Sequence, residues 1–577
     1  ISFLRQKMTE MGFLEIQTPI LCASSPEGAR DYIVPSRKFK GKFYALPQAP
    51  QQYKQLLMVS GFDKYFQIAP CFRDEDARAD RSPGEFYQLD FEMSFATQED
   101  VFRVGEEVLT ETFSKFAPEG AVVTQAPYPV ISYKQAMLEF GTDKPDLRNP
   151  LRIVDTTDFF QRCTFKPFHG KTVRAIKVHA DMSKGFHEKL LKFAQSIGMG
   201  GLGYLEVLED KSYKGPIDKF IPDDMKQEIA DIANLEVGDT IFFIADTEEH
   251  AALYAGQIRN ELGARLDLLE KNAYRFCFIN DFPMFEYDKE AKKIIFTHNP
   301  FSMPQGGLEA LNTKNPRDIL AYQYDIVCNG VELSSGAVRN HNLDIMVKAF
   351  EIAGYTEEDL KEKFGALYNA FQFGAPPHAG MAPGVDRMIM LFEGEEIKKD
   401  IVRALNDMGI DLIGYRFDES EKHLYTQRCV KGKEYELRFS DESDGTQKLI
   451  AALPVFLLAL KEGRLVIIDE LDAKLHPKLL RYIIAMFKNP VLNAKGAQLL
   501  FTSHDVTTMK NTVFRRDEIW FAAEDDNHES EIYSLYEIRR EDNERVNSTA
   551  AYDKQYLEGR YGADPYLANM LTGGEWK

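Results

Sequence analysis

Two short stretches decide the fold: the charged run Phe72-Arg73-Asp74-Glu75-Asp76 and, far downstream, the run Gly384-Val385-Asp386-Arg387. The first run precedes the aromatic, strand-like stretch FYQLDFE at residues 86–92, and the second run opens an apolar helix. Each run sets an arginine beside carboxylates, which is an arrangement that suits a nucleoside triphosphate and its magnesium ion. The pattern therefore predicts a nucleotide site that is assembled from two distant parts of the chain.

Composition limits the class of protein. The chain has 577 residues, of which 44% are hydrophobic and 28% charged, and this is typical of globular proteins with about three or four domains. A net charge of −20 disfavours non-specific binding along nucleic acid but allows a local basic face. The longest apolar run, at residues 449–460, is too short to cross a bilayer and predicts a buried helix. No secretory signal is seen, and the six cysteines are scattered, so we expect a cytoplasmic protein without membrane contact.

Apolar periodicity predicts strands and helices in the first part of the chain. We expect strands at residues 15–20, 65–75 and 86–95 and a helix at residues 50–60. Thr97 followed by Asp100 predicts the capped start of a further helix. Residues 125–280 change to short strands and helices, such as 203–208 and 240–245, and predict an inserted domain. The glycine-rich run at 198–203 precedes a strand, which is the wrong context for a dinucleotide site.

Formation of an acyl-adenylate requires fixed cations around the phosphates. Arg73, on a strand, is suited to the α-phosphate, and Arg387, at a helix start, is suited to the leaving pyrophosphate. We expect Glu332 and Asp325 to hold magnesium. Either arginine alone is more readily explained by a surface ion pair, so the interpretation depends on the ordered set of motifs.

The adenine needs contacts of its own. Phe86 offers an aromatic face on which the base can stack, and Glu75 can form a hydrogen bond with its polar edge.

These motifs together resemble the catalytic part of the bacterial-type aspartyl-tRNA synthetases, which are class II aminoacyl-tRNA synthetases, over residues 1 to about 397. Three class motifs and four family stretches carry the resemblance: GFLEIQTP at 12–19, FRDE at 72–75 with FYQ at 86–88, GVDR at 384–387, SPEGARDY at 25–32, QQYKQL at 51–56, THNPF at 297–301 and ELSSGAVR at 332–339. The resemblance implies an antiparallel sheet flanked by helices and a homodimer built around Pro19. It also implies ATP with Mg²⁺, L-aspartate and tRNA(Asp) as ligands.

The resemblance implies two sets of site residues. For ATP they are Arg73, Asp74, Glu75, Ser82, Phe86, Gln88, Glu332, Gly384, Val385, Asp386 and Arg387, and for aspartate they are Glu27, Gln51, Lys54, Arg73, Asp90, His298 and Arg339. Lys54 and Arg339 suit the side-chain carboxylate of aspartate and would separate it from asparagine. Glu27 and Gln51 suit its ammonium group, with Asp90 a weaker candidate.

Two features of the 297–301 stretch leave alternatives open. His298 alone would be as readily a structural histidine, and the family pattern favours contact with the substrate. Many relatives have a second histidine where Asn299 stands, so the choice between tRNA(Asp) and tRNA(Asn) stays open.

Residues 398–577 follow a different pattern. An apolar strand ends in Asp469 and Glu470, a small-residue turn runs from Ser443 to Gly445, and a later strand ends in His504. With Asp472, this order resembles the C-terminal half of ABC-type ATPases of the AAA15-like group, in which such carboxylates orient magnesium and water. The chain has no Gly-x-x-x-x-Gly-Lys-Ser/Thr run to cradle phosphates, so we expect no independent ATP hydrolysis.

The sequence therefore predicts an α+β protein in four segments. Residues 1–124 and 281–397 form the synthetase catalytic domain, 125–280 an inserted α+β domain, and 398–577 a partial α/β ABC-ATPase-like domain. Our hypothesis is a chimera, from gene fusion, recombination or sequence misassembly. Because the family's anticodon-binding barrel is not seen, we expect adenylate formation to be more robust than tRNA charging. The alternative is an ATPase or nucleotide-gated interaction protein that carries a synthetase fragment.

Overall fold

The computed structural model describes residues 1–24, 30–74, 84–118, 120–289, 291–418, 423–430, 433–524, 529–539 and 545–563. The chain divides into two compact units, Ile1–Phe392 and Glu393–Lys577. Among the described helices, none combines the length and the apolar character that crossing a bilayer requires.

The first unit begins with elements that carry the first two class motifs. In chain order they are α1 (Ser2–Glu10), β1 (Leu14–Glu15), β2 (Ile33–Pro35), β3 (Phe43–Ala45), α2 (Gln51–Val59), β4 (Lys64–Phe72), β5 (Glu85–Ser94), α3 (Gln98–Phe116), β6 (Val122–Val123) and β7 (Val130–Ser132). The helix expected at 50–60 and the strand expected at 86–95 are confirmed as α2 and β5. The strand expected at 65–75 is confirmed up to Phe72.

The strand expected at 15–20 is wrong beyond Glu15. The Thr18 N–H donates to the side-chain Oε1 of Gln67 on β4 at 2.9 Å instead of to a backbone carbonyl of that strand. Pro19 has no N–H to donate, so the strand cannot continue through it.

The start of α3 is capped as the sequence predicts. The Thr97 hydroxyl accepts from the Asp100 N–H, and the Asp100 carboxylate accepts from the Thr97 N–H at 2.8 Å. This reciprocal pair satisfies two N–H groups that the first helical turn leaves without partners.

A five-stranded antiparallel sheet forms the inserted part of the first unit. Its region comprises α4 (Tyr133–Glu139), β8 (Ile153–Asp155), α5 (Thr157–Arg162), β9 (Thr172–His179), α6 (Lys184–Ser196), β10 (Gly203–Val207), β11 (Tyr213–Lys214), α7 (Lys226–Ala233), β12 (Asp239–Asp246) and α8 (Glu248–Arg265). The strand order is β11-β10-β12-β9-β8. The strands expected at 203–208 and 240–245 are confirmed as β10 and β12, and the glycine-rich run ends where β10 begins.

The remaining elements complete a larger sheet. They are β13 (Ala273–Tyr274), β14 (Phe276–Asn280), β15 (Phe285–Asp288), β16 (Lys293–Phe296), α9 (Gly307–Thr313), β17 (Gln323–Cys328), β18 (Val331–Val338), α10 (Leu343–Ile352), α11 (Glu357–Phe371), β19 (His378–Met381) and α12 (Val385–Asp407). The eight-stranded order is β1-β4-β5-β19-β18-β17-β14-β7. The outer pairs β1/β4 and β14/β7 are parallel and the inner pairs antiparallel, which agrees with the predicted α+β class. β7 and β14 belong to this sheet although both lie within residues 125–280.

The second unit is built from shorter sheets. Beyond α12 its elements are β20 (Gly414–Asp418), β21 (His423–Val430), β22 (Lys433–Arg438), α13 (Asp444–Glu462), β23 (Leu465–Ile468), α14 (Pro477–Lys488), β24 (Gln498–Phe501), β25 (Trp520–Glu524), β26 (Ser530–Ser534) and α15 (Tyr552–Leu557). β20, β21 and β22 form an antiparallel sheet, β23 and β24 a parallel pair, and β25 and β26 an antiparallel pair. α13 confirms the buried helix expected at residues 449–460.

Aromatic packing fixes α3 against the large sheet. The Phe102 ring stacks on Phe278 of β14 with 3.8 Å between centroids. It also meets Tyr324 of β17 edge to face at 5.0 Å. Aromatic pairs of this kind add to the free energy of simple burial, so Phe102 holds α3 against β14 and β17.

We predict that Phe102→Ala lowers the free energy of unfolding by about 3–5 kcal/mol, because it opens a cavity where three rings meet. Urea denaturation followed by circular dichroism measures the change. Phe373→Ala is the matched control, since Phe373 is 87% exposed and the same truncation there should change stability by less than about 0.5 kcal/mol. Equal effects of the two substitutions would contradict the assigned core.

Candidate functional site

A cavity of about 540 Å³ opens beside the large sheet of the first unit. Its walls are formed by α2, β5, the strands β17 and β18, the segment around residues 295–301, and the helices α10 and α11. The lining residues are Ala49, Gln51, Lys54, Arg73, Gln88, Asp90, Ile295, Phe296, His298, Asn299, Pro300, Phe301, Gln323, Ser335, Gly336, Arg339, Phe350, Tyr355, Lys363, Phe364 and Ala382. Six of the seven residues expected to bind aspartate line this cavity, and the seventh, Glu27, lies outside the described residues.

Four buried charges lie at this cavity: Lys54, Asp90 and Arg339 line it, and Glu92 contacts Lys54 and Arg339. Lys54 Nζ lies 2.6 Å from Asp90 Oδ1 and 3.5 Å from Glu92 Oε2. Arg339 Nε lies 2.9 Å from Glu92 Oε1, and its Nη2 lies 3.3 Å from Glu92 Oε2. Each of the four side chains is at most 3% exposed. Because Asp90 and Glu92 are two apart on β5, they point to the same face of the sheet.

The two carboxylates have different electrostatic surroundings. Burial alone would raise the pKa of Glu92, but the charges of Arg339 and Lys54 outweigh it and hold that pKa below its usual range. Burial raises the pKa of Asp90, and Lys54 offsets only part of this effect. Asp90 Oδ2 is buried and accepts no hydrogen bond from any described residue. A ligand with a donor group would therefore find an acceptor there without a competing partner.

Glu92 was not predicted as a site residue. The signal was present in the sequence, because a strand with carboxylates at positions 90 and 92 places both on one face. Two acids on the buried face of a strand require buried cations as partners.

Arg73 follows β4 and reaches the cavity from the side of the second class motif. Its guanidinium lies over the Phe86 ring, 5.0 Å from the ring centre. Its buried Nε makes no hydrogen bond within the described part of the chain. The backbone is fixed by the Arg73 N–H, which donates to the Gly84 carbonyl at 2.8 Å. Arg73 is thus a positioned cation with a free donor.

The third class motif is fixed directly to the second. Asp386 Oδ2 accepts from the Tyr87 N–H at 2.7 Å, and Gln88 pairs with Gly384 in an antiparallel bridge. These contacts join the start of α12 to β5.

Arg387 does not line the cavity that Arg73 lines. Its Nη1 donates to the Glu332 carbonyl and lies 3.4 Å from Glu332 Oε1. The convergence of Arg73 and Arg387 on one polyphosphate therefore stays a prediction.

Asp325 and Glu332 share one face of the β17/β18 ladder. Asp325 lies opposite Ser335 and Val327 lies opposite Glu332, so the side chains of Asp325 and Glu332 are on the same side of the sheet. Burial, followed by the nearby charge of Glu332, raises the pKa of Asp325 well above its usual range. Its Oδ1 is buried without a partner among the described residues. A cation would satisfy both carboxylates.

A magnesium ion fits this pair. Mg²⁺ is commonly held by one or two carboxylates together with substrate phosphates and water, not by a full protein cage. The described residues contain no group of three or more His, Cys, Asp or Glu side chains that could hold a metal alone. Lys144 Nζ lies 3.4 Å from Glu332 Oε2, so the region at residues 125–280 contributes a cation that was not predicted from the sequence.

The other predicted residues have varied positions. His298 lies edge to face on Phe282 at 5.0 Å, and burial lowers its pKa, so the ring is neutral near pH 7. Asn299 Oδ1 accepts from the Phe301 N–H at 2.9 Å and thereby stabilises the local turn. The Asp74 side chain is exposed and Val385 is buried in the core. Glu27, Glu75 and Ser82 lie outside the described residues.

In the second unit, the predicted acids meet at the carboxyl ends of β23 and β24. The Thr502 hydroxyl donates to Asp469, and the Glu470 N–H donates to Thr502 Oγ1 at 2.7 Å. The His504 N–H donates to Asp472 at 3.2 Å. These hydrogen bonds link the chain after β23 to the chain after β24, and a role of the four side chains in ATP chemistry stays a prediction.

The predicted turn before α13 has a structural role. Ser443 caps α13 by accepting from the Thr446 N–H at 3.2 Å. A side chain at Gly445 would lie 2.9 Å from the Lys474 carbonyl, which explains a glycine there.

Comparisons with known proteins agree with this division of the chain. Residues 1–403 match the family described as tRNA synthetases class II (D, K and N), and residues 390–510 match the family described as AAA domain, putative AbiEii toxin, Type IV TA system. The chain is 59% identical over 421 residues to an aspartate--tRNA(Asp/Asn) ligase of Ehrlichia canis (strain Jake), covering 72% of this chain and 71% of that protein. It is 57% identical over 421 residues to the protein of the same name from Gluconobacter oxydans (strain 621H), covering 72% and 70%.

We predict that Glu92→Gln lowers the free energy of unfolding by about 3–5 kcal/mol, because it removes the anion that two buried cations share. Chemical denaturation of the purified protein measures the loss. Glu249→Gln is the control: Glu249 pairs with Lys289 in an exposed ion pair, which contributes less than about 1 kcal/mol. A Glu92→Gln protein as stable as the control would show that the four charges are not coupled.

Proposed function

Because the chain belongs to the class II tRNA synthetases of the D, K and N group, we propose that it is an aspartate–tRNA ligase. In this proposal the first unit activates L-aspartate with ATP and transfers the aspartyl group to tRNA. The observation that carries it is the buried set of Lys54, Asp90, Glu92 and Arg339 beside a 540 Å³ cavity.

The charges of the cavity match aspartate. Lys54 and Arg339 take the side-chain carboxylate, and the ammonium donates to Asp90 Oδ2 and to Gln51. Asparagine presents an amide in place of the carboxylate and brings no negative charge to Lys54 and Arg339 beyond the charge that Glu92 already supplies. A site built for a charged partner rejects the neutral analogue strongly.

The activation step joins the amino acid to the nucleotide. An oxygen of the aspartate α-carboxylate attacks the α-phosphorus of ATP, a new P–O bond forms, and the bond to the bridging oxygen breaks to release pyrophosphate. The guanidinium of Arg73 donates to the α-phosphate oxygens, on which negative charge grows. Phe86, whose ring already lies against Arg73, stacks on adenine.

Asp325 and Glu332 hold magnesium in this proposal. When bound, the ion neutralises part of the charge of the phosphates. Arg387, whose Nη1 lies 3.4 Å from Glu332 Oε1, is proposed as the donor to the leaving pyrophosphate. Lys144 supplies a further positive charge at the same carboxylate.

The partners follow from the same proposal. We propose tRNA(Asp) as acceptor, with tRNA(Asn) a second acceptor in view of the relatives' name, and the cytoplasm as the place of translation. A homodimer is supported by exposed apolar side chains around Pro19 and the β2/β3 pair, which are Leu14, Leu21, Ile33 and Phe43, each more than half exposed. Exposed large apolar side chains are a feature of interfaces.

We predict that the wild-type protein exchanges labelled pyrophosphate into ATP when L-aspartate is present, and that L-asparagine supports at least about a hundredfold less exchange. Arg73→Ala should lower the rate by about 10²–10³, since it removes a preorganised donor to the α-phosphate. Arg37→Ala, at an exposed arginine, is the control and should exchange normally. A folded wild-type protein without exchange at saturating aspartate would exclude the proposed activity.

We further predict that Glu332→Gln raises the Mg²⁺ concentration for half-maximal exchange by about tenfold or more, because one of two carboxylates loses its charge. Titration of Mg²⁺ at fixed ATP and aspartate measures this shift. Glu309→Gln, at an exposed position of α9, keeps the wild-type requirement. An unchanged titration curve for Glu332→Gln would place the metal elsewhere.

A further inference from the structure

His378 is buried on β19 and does not line the cavity. Its Nδ1 lies 2.8 Å from the Pro376 carbonyl. A carbonyl oxygen only accepts, so Nδ1 carries the proton. Burial lowers the pKa of His378, against the opposing charge of Glu92, so the ring is neutral at pH 7. The lone pair of Nε2 is therefore an acceptor.

Gln55 supplies the donor to that acceptor. Its Nε2 lies 3.2 Å from His378 Nε2, and the side chain is fully buried on α2. Since the amide NH₂ is directed to His378, the amide oxygen of Gln55 faces the other way. The orientation of the Gln55 amide is thus determined by the tautomer of His378.

The same constraint passes to Gln51 one helical turn earlier. Gln51 Nε2 donates to Gln55 Oε1 at 3.3 Å, as expected for residues four apart on a helix face. Gln51 lines the cavity, and within the described residues its Oε1 accepts no hydrogen bond. The chain of bonds from Pro376 to Gln51 therefore leaves a carbonyl oxygen available to the cavity.

We propose that His378 is a positioning residue which, through Gln55, fixes the Gln51 amide so that its oxygen accepts from the ammonium group of the amino-acid substrate. This inference rests on the proposed function, because Gln51 is taken there to bind the ammonium. Without the constraint, the Gln51 amide can rotate and present its NH₂, and an ammonium has no lone pair to accept from it.

Two substitutions at His378 separate the acceptor from the donor. His378→Gln places an amide oxygen near the position of Nε2 and keeps an acceptor for Gln55, whereas His378→Asn keeps a donor near Nδ1 and removes the acceptor. In pyrophosphate exchange we expect His378→Asn to raise KM for aspartate about tenfold, the cost of losing a hydrogen bond to a charged group. KM for ATP and kcat should change by less than about threefold, and His378→Gln should recover most of the loss.

Gln55→Met tests the same chain at its middle. It keeps the length of the side chain and removes both hydrogen bonds, so it should raise KM for aspartate as His378→Asn does. This variant keeps the inference testable where the His378→Asn protein does not fold.

Succinate is the probe that distinguishes positioning from a structural role. It has both carboxylates of aspartate but no ammonium group, so its inhibition constant against aspartate should be unchanged in His378→Asn and Gln55→Met. Parallel rises in KM for aspartate and Ki for succinate would overturn the inference. So would a KM for aspartate within about twofold of wild type in both variants. Absence of exchange in the wild-type protein would instead remove the proposed function, and the inference with it.

Discussion

The site depends on one buried interaction, the carboxylate of Glu92 between the cations of Lys54 and Arg339. Ions taken out of water at this depth are tolerated only when partners compensate the lost hydration. Glu92 lies on β5, which pairs with β4 on one edge and with β19 on the other. Lys54 comes from α2 and Arg339 from the chain after β18. The three charged residues come from three different elements. Their ion pairs therefore form only when α2, β5 and the chain after β18 are all in place.

This network leaves specific groups free for a ligand. Glu92 keeps its charge since its pKa is held low, while burial shifts Asp90 toward its neutral form. A ligand with two carboxylates and one ammonium group places a carboxylate beside Lys54 and Arg339, and its ammonium group donates to Asp90 Oδ2. The site is thus preorganised: the side chains are already fixed by one another, and little conformational entropy remains to be lost on binding. The same reasoning applies to Gln51, whose amide is oriented before any ligand arrives.

Much of this arrangement could be predicted from the sequence, and the failures have physical causes. The strand β5 and the helix α2 have strong periodic patterns, and the motif residues Lys54, Asp90 and Arg339 carry recognisable chemistry. Lys144 could not be predicted as a site residue from the sequence, because only the pairing of β7 with β14 brings its region to the large sheet. Contacts between segments this distant in sequence depend on sheet topology, which local patterns do not encode.

His378 was missed for a related reason: a lone histidine in a short apolar strand has no motif around it.

The boundary between the segments that match the two families could not be located from local sequence patterns either. No flexible linker is evident near residue 398, because the boundary between the two units falls within α12. Val385 and Met388, at its start, belong to the core of the first unit, and Ile401 and Leu405, near its end, belong to the core of the second. The matches to the two families overlap at residues 390–403, inside this helix. A boundary inside a helix leaves no break in backbone hydrogen bonding, since the regular bonds of the helix depend on the backbone and not on which side chains are buried. Composition and turn residues, which usually mark domain boundaries, therefore carry no signal at this one.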